Sequence, residues 1–271
     1  MLSVIIPLLG EDPNLETTLR AILTNRSPCE IIIVAVGASE IIGDIARGHA
    51  AKVIRSAISQ RATQMNLGAE RAAGEVLLFV HADTQLPAAA LDEMESALRD
   101  NRVVGGAFAR RYEPTSAFLN ATCFLAELRS RLFGWFLGDQ AIFVRRDVFE
   151  RLGGFRDYDI FEDLDFARRM RRKGRVATLR PPVTSSARRF ADDGAFRRTL
   201  SDLWLTLRYI CGAGPDALAR ETTGNLSTPP PRVHSQRDGL CPPASPRAHC
   251  KDAPYQSADL HEPADGSRLP I

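Results

Sequence analysis

Residues 74–87 read GEVLLFVHADTQLP. Val76 to Val80 are apolar without alternation, the pattern of a strand buried on both faces, and such strands belong to parallel sheets covered by helices on either side. The run then ends in His81, Ala82 and Asp83. An unpaired carboxylate in apolar surroundings is costly, so Asp83 has to be solvated, paired or bound to a cation. In sheets of this kind the ligand crevice lies beyond the carboxyl ends of the strands. The histidine and aspartate therefore stand where the chain leaves the core for its active face.

Working outward from this strand, the same alternation of β-rich runs and helical patterns fills the first hundred residues. LSVIIPLL (2–9), EIIIVAV (30–36) and AKVIRS (51–56) read as strands. Between them, PNLETTLRAIL (13–23) reads as a helix with Leu15, Leu19, Ile22 and Leu23 on one face, and IIGDIARGHA (41–50) and QRATQMNLGAERAA (60–73) read as further helices. Right-handed βαβ crossovers follow. Beyond residue 100 come VVGGAFARRY (103–112), a helical stretch over 115–136, and GDQAIFVRRDVFERLGGF (138–155). The next helix, EDLDFARRMRRKGR (162–175), opens with Glu162, Asp163 and Asp165 and closes with Arg171, Arg172 and Lys173, in the sense that suits the helix dipole, with Gly174 as its expected C-cap. A last amphipathic helix puts Phe196, Leu200, Leu203, Trp204, Leu207 and Cys211 on one side.

The chain has 271 residues, 44% of them hydrophobic, and a net charge of +2, so its bulk balance singles out neither nucleic acid nor an anionic membrane. Cys29, Cys123, Cys211, Cys241 and Cys250 form no C-x-x-C pair, which argues against a zinc knuckle or a disulfide framework and for a reducing cytoplasm. The opening MLSVIIPLLGEDP reads as a first strand and not as a signal peptide. No segment approaches the ~18 uninterrupted apolar residues of a membrane span. The best candidate, residues 117–138, is broken by Glu127, Arg129 and Arg131 and reads as an amphipathic helix, packed on the core or a neighbouring domain in preference to a peripheral membrane contact. After Glu221 the character changes: 9 of the 17 prolines lie in residues 222–271, which read as a disordered tail, and His234, His249 and His261 there lack metal-ligand spacing.

On local sequence alone, Asp83 fits a Mg²⁺ or Mn²⁺ ligand beside a phosphate-bearing substrate, but an aspartate after a strand caps a turn or helix more often than it binds metal. Glu162 and Asp163 fit N-terminal helix chemistry, Arg168 to Lys173 a solvated helix end, and Arg61 a surface helix position. Three stretches in order carry more: SVIIPLLGE, then QRATQMNLGAERAAGEVLLFVHADTQLP, then GDQAIFVRRDVFERLGGFRDYDIFEDLDFARRMRRKGR. Together they resemble family 2 glycosyltransferases over roughly residues 1 to 220. HADTQLP and GDQAIFVRR most resemble the arsenosugar-biosynthesis, or radical-SAM/selenodomain-associated, subgroup.

The resemblance implies an α/β GT-A fold, a Rossmann-like, mostly parallel sheet flanked by helices, with residues 1–100 as nucleotide-binding half, 101–221 as acceptor-side half and 222–271 as tail. It implies an inverting, hexosyltransferase-like enzyme taking a nucleotide-diphosphate sugar and a small hydroxylated acceptor, with a divalent cation. Pro7, Leu8 and Glu11 would hold the nucleoside, and Arg61 the base or diphosphate. Ala82 and Asp83 would lie at the nucleotide, with Asp83 as metal ligand and His81 beside it in place of the family's first aspartate. Asp163 would be the catalytic base, with Gly138, Asp139, Gln140 and Glu162 on the acceptor side. Gly10 replaces the family's usual asparagine, and Val36 stands where an aspartate usually binds the base. That contact would fall to Glu11, Ser39, Glu40 or backbone groups. These departures leave a second expectation open, a nucleotide-sugar-binding module without turnover. A sugar nucleotidyltransferase is a third, which the single glycine of PLLGEDP disfavours.

Overall fold

The apolar runs become adjacent strands of one sheet in the computed structural model of the chain, which describes residues 1–37, 39–188, 190 and 194–223. β1 (Leu2–Leu9), β2 (Cys29–Val36), β3 (Lys52–Arg55) and β4 (Val76–Phe79) pair in parallel in the order β3-β2-β1-β4. Helices α1 (Leu15–Leu23), α2 (Glu40–Gly48) and α3 (Arg61–Arg71) are the crossovers. Successive strand side chains point to opposite faces. Val4, Ile6 and Ile33 therefore join Leu19, Ile22 and Ile42 in one core, while Ile5, Ile32 and Val34 join Met65 and Ala69 of α3 in the other. Two cores, one on each face, are why these strands read as unbroken apolar runs. Leu23, expected on the buried face of α1, is half exposed, and Thr18 takes the inner position.

The sheet becomes mixed beyond β4. β5 (Thr84–Gln85), β6 (Val103–Glu113), β7 (Ile142–Arg145) and β8 (Arg175–Ser186) complete the order β3-β2-β1-β4-β7-β6-β8-β5. β7 is antiparallel to β4 and β6, β8 is parallel to β6, and β5 closes the edge antiparallel to β8. β6 is gripped tightly between its neighbours: a Cβ on Gly106 would lie 2.1 Å from the Ala177 carbonyl oxygen, so only glycine fits there.

The helices of this half are α4 (Ala90–Leu98), α5 (Ala117–Phe133), α6 (Arg146–Leu152), α7 (Glu162–Arg171), α8 (Ala195–Ile210) and α9 (Pro215–Thr223). An aromatic cluster fixes α7 under the end of β4: Phe155 sits with its ring centroid 4.8 Å from Phe79 and 4.5 Å from Phe166. Gly174 is not the left-handed cap expected for α7. The helix ends at Arg171, its last carbonyls are taken up by Arg172 and Lys173 N–H groups, and Gly174 is instead pressed on Val104 at the start of β8. The described residues all fall within one compact unit, Met1–Pro229, and among them no helix is long and apolar enough to cross a membrane. The expectation of a disordered tail lies, from residue 224 onward, outside the described residues, as do Cys241, Cys250 and the three tail histidines.

α5 reverses the expected arrangement of an amphipathic helix. Its charges turn inward, with Glu127 buried and accepting two hydrogen bonds from Arg180 of β8 at 2.8 and 2.6 Å, and Arg129 donating to Gln140 at 3.2 Å. Phe124, Leu125, Leu128 and Leu132 face out, and on α8 the whole apolar stripe is exposed as well. Packing inward, expected for α5, holds for its Leu119, Cys123 and Ala126, and Ala195 at the start of α8 packs against the same small cluster.

Candidate active site

β4 hands the chain to a turn that is pinned from two sides. The Thr84 N–H donates to the His81 carbonyl at 3.0 Å, and the buried Thr18 hydroxyl of α1 donates to the Ala82 carbonyl at 2.7 Å. Next to this turn lies a small cleft lined by Arg61, Met65, Phe79, His81, Gly138, Ile142, Phe155, Glu162 and Asp163. It collects the N-terminus of α3, the end of β4, the short turn of 3-10 helix Gly138–Gln140 and the N-terminus of α7.

Two carboxylates enter the cleft from α7. Phe161, directly before them, takes a left-handed conformation (φ +64°) with its ring stacked on Tyr209 of α8 at 4.8 Å. The Asp163 carboxylate accepts the Gly138 N–H at 2.5 Å and the Leu164 N–H at 2.6 Å. Burial pushes its pKa up, and the two N–H donors offset that only in part. Glu162 is 3% exposed and takes a hydrogen bond from Arg61 Nη1 at 3.4 Å. Burial first, and the neighbouring Asp163 second, push its carboxyl up to about 7.

Gly138 measures how close the histidine turn and the α7 carboxylates come. A Cβ there would lie 2.5 Å from His81 Nε2 and 3.3 Å from Asp163 Oδ2, so one small residue separates the two. Of the GDQ triplet, only Gly138 lines the cleft. Asp139 is turned to Arg110, with which it forms a hydrogen-bonded ion pair, and to the Tyr112 hydroxyl at 2.7 Å. Burial raises the Asp139 pKa, but the Arg110 guanidinium and the two hydrogen bonds outweigh it and hold the carboxyl at about 2. Gln140 is buried and donates to the Phe108 carbonyl at 3.1 Å while accepting from Leu137 N–H at 3.1 Å. Both residues build the turn that offers Gly138. Arg110 and Tyr112 escaped sequence reading, although their spacing of two puts them on one face of β6. The polar run Arg110, Arg111, Tyr112 and Glu113 that ends an otherwise apolar strand was the available signal.

Asp83, Ala82, Pro7, Leu8 and Glu11 lie outside the lining of this cleft, on the segments that leave β4 and β1 at the same end of the sheet. Asp83 and Pro7 are half-buried, Leu8 is buried with its carbonyl accepting from Gln64 Nε2 at 2.8 Å, and Glu11 is exposed. Gly10 adopts φ +63° and its N–H reaches the Val36 carbonyl at 3.0 Å. Asparagine is among the residues that best tolerate this region, so the loop keeps a shape either residue could support. Ser39 accepts the Ile42 N–H as N-cap of α2, and its hydroxyl is engaged there.

For a divalent cation the donor set is thin. Asp83 and His81 share one turn, and among the described residues no group of three His, Cys, Asp or Glu side chains could hold a metal. Mg²⁺ and Mn²⁺ commonly take one or two protein ligands and complete their shell with water and phosphate oxygens. The residues present fit a cation carried with a diphosphate, not one caged by protein alone.

The sequence model of the family described as Glycosyl transferase family 2 matches residues 3–192. None of the curated protein sequences matches the chain. Among solved structures, a mannosyltransferase from Pyrobaculum calidifontis, PcManGT in complex with GDP-Man and Mn²⁺, is similar with a TM-score of 0.60 at 20% identity, over 83% of this chain and 70% of that one. Residues 1–349 of TarS from S. aureus, in complex with UDP-GlcNAc, are similar with a TM-score of 0.57 at 15% identity, over 68% of this chain and 58% of that one. Likeness at these identities shows the fold.

Proposed function

The chain belongs to glycosyl transferase family 2, and on that premise we propose that it transfers a sugar from a nucleotide-diphosphate sugar to a hydroxyl of a small acceptor with inversion at the anomeric carbon. One observation carries the proposal: a carboxylate with a raised pKa, Asp163, and the imidazole of the histidine turn face the same cleft with only Gly138 between them.

In this reading the acceptor hydroxyl sits against Asp163. As its oxygen forms the bond to the anomeric carbon, its proton passes to the Asp163 carboxylate, and the carbon–oxygen bond to the diphosphate breaks on the opposite face. Burial makes Asp163 a stronger base than a solvated aspartate, and the Gly138 and Leu164 N–H groups hold it in position. Arg61 supplies positive charge beside the carboxylates for the departing diphosphate. Asp83, with His81, would hold a divalent cation, which when bound neutralises the diphosphate and improves it as a leaving group. Pro7, Leu8, Glu11 and Ala82 would border the nucleoside. With Val36 at the end of β2, recognition of the base falls to backbone groups and Glu11. HADTQLP and GDQAIFVRR support membership of the arsenosugar-associated subgroup, and the scattered cysteines support a cytoplasmic setting.

A mass-spectrometric screen of nucleotide sugars against small hydroxylated acceptors, with Mn²⁺ or Mg²⁺, tests this. Transfer is expected, and Asp163→Asn should lower it by about 10²- to 10⁴-fold while donor binding persists. An unchanged rate in the variant removes Asp163 as base. Tight donor binding without transfer to any acceptor identifies a binding module instead.

A further inference from the structure

α8 presents its apolar residues to solvent in a single stripe. Leu200, Leu203, Trp204 and Leu207 are each 47–62% exposed, and none of the residues of this helix is fully buried. α5 adds a second strip, with Leu125 and Leu132 each 61% exposed because Glu127 and Arg129 have taken the inward positions. Phe118 of α5 meets Phe196 of α8 at 5.9 Å, which joins the two strips at one end. Exposed apolar surface of this extent marks an interaction site.

Charge decides the occupant. The two helices together carry five arginines and two acids, a net of +3 against +2 for the entire chain. Arg197 and Arg208 border the α8 stripe at helical spacing, and Arg131 borders that of α5. Arg208 is ion-paired to Glu221 and Arg131 to Glu127, which leaves Arg197 and the net positive charge of the face to meet an anionic surface. Apolar residues including tryptophan on one face, with arginines at the edge, is the composition of a helix that lies in a lipid–water interface. A second copy of the same face would set arginine against arginine. The chain's own residues 224–271 hold six aliphatic side chains and no Phe or Trp, a poor cover for two helices.

We propose that the exposed faces of α5 and α8 dock this protein on an anionic lipid surface. The apolar stripe enters the headgroup boundary, and Arg197 with the net positive charge of the face meets lipid phosphates. Docking would act close to the proposed reaction, since Tyr209 of α8 stacks on Phe161, the residue before Glu162 and Asp163.

The test is co-sedimentation of the full chain with vesicles of phosphatidylcholine plus phosphatidylglycerol, and of phosphatidylcholine alone. Pelleting with the anionic vesicles is expected, at least about tenfold weaker with neutral ones, and at least about tenfold weaker again for Leu203→Glu/Trp204→Glu. Circular dichroism checks that this variant is folded. Trp204 fluorescence in a Trp135→Phe background gives a second readout without added charge, and a blue shift on vesicle addition is expected. No pelleting and no shift overturn the proposal, as does pelleting that the glutamates leave unchanged. A concentration-dependent dimer that Trp204→Glu dissociates overturns it in favour of a second copy. Neither readout needs sugar transfer, so failure here is distinct from failure of the proposed reaction.

Discussion

Glu162 is displaced toward neutrality by its burial in the cleft, and the displacement has a definite sign. Its folded carboxyl titrates at about 7 instead of 4.5, because ionisation must occur in a buried place beside Asp163. Below 4.5 both folded and unfolded chains hold the proton, and the contribution to stability is complete. Between 4.5 and about 7 the unfolded chain gives it up freely while the folded chain resists, so the contribution is lost as pH rises. The melting temperature of the unliganded protein should therefore fall across this window relative to that of Glu162→Gln. Thermal scans of both proteins at several pH values check it, and parallel profiles would remove Glu162 as the cause. Asp139 works in the opposite sense at lower pH. Its carboxyl sits at about 2 beside Arg110, so its contribution is present above 3.8 and lost as pH falls toward 2. The two effects do not overlap.

Among the elements, β6 ties the two halves of the site together. It carries Arg110 and Tyr112, which hold Asp139 and so shape the turn that presents Gly138, and it is held in place by its fit at Gly106. Gly106→Ala should cost about 1–3 kcal/mol by overpacking against the Ala177 backbone, measured by urea unfolding, and should lower transfer as well. A variant of wild-type stability would show that β8 can shift to make room. β1 to β4 were legible in the sequence because an apolar run flanked by helical patterns has one economical solution, a strand with a core on each face. The position of β7 between β4 and β6 was not legible, since strand order depends on pairing across more than sixty residues. Gly174 misled for a local reason: a glycine after a basic helix end serves as a cap or as a place of close approach, and only the neighbour, Val104, distinguishes them.

For the whole molecule, a ligand that binds the folded state alone stabilises it by mass action. A nucleotide-diphosphate sugar at about 100 times its dissociation constant should add about 2.7 kcal/mol, read as a rise in melting temperature. If Asp83 and His81 act with a cation on the diphosphate, the rise should be larger with Mn²⁺ than with a chelator. An equal rise in both conditions would take the cation out of the reading.

The order of apolar runs determined the sheet's parallel half, and the carboxylates at the end of one strand and the start of one helix became candidate site residues only through the three motifs that resemble the family in order. Tertiary structure decided which of those residues meet. Gly138, Glu162 and Asp163 converge with Arg61 and His81, while Asp139 and Gln140 turn away to satisfy buried partners on β6 and α5. It also decided the orientation of α5. Glu127 turns inward and pairs with Arg180, as a buried carboxylate must, while Phe124 and Leu128 face out. Periodicity finds the two faces of a helix, but which of them turns inward depends on a partner distant in the chain.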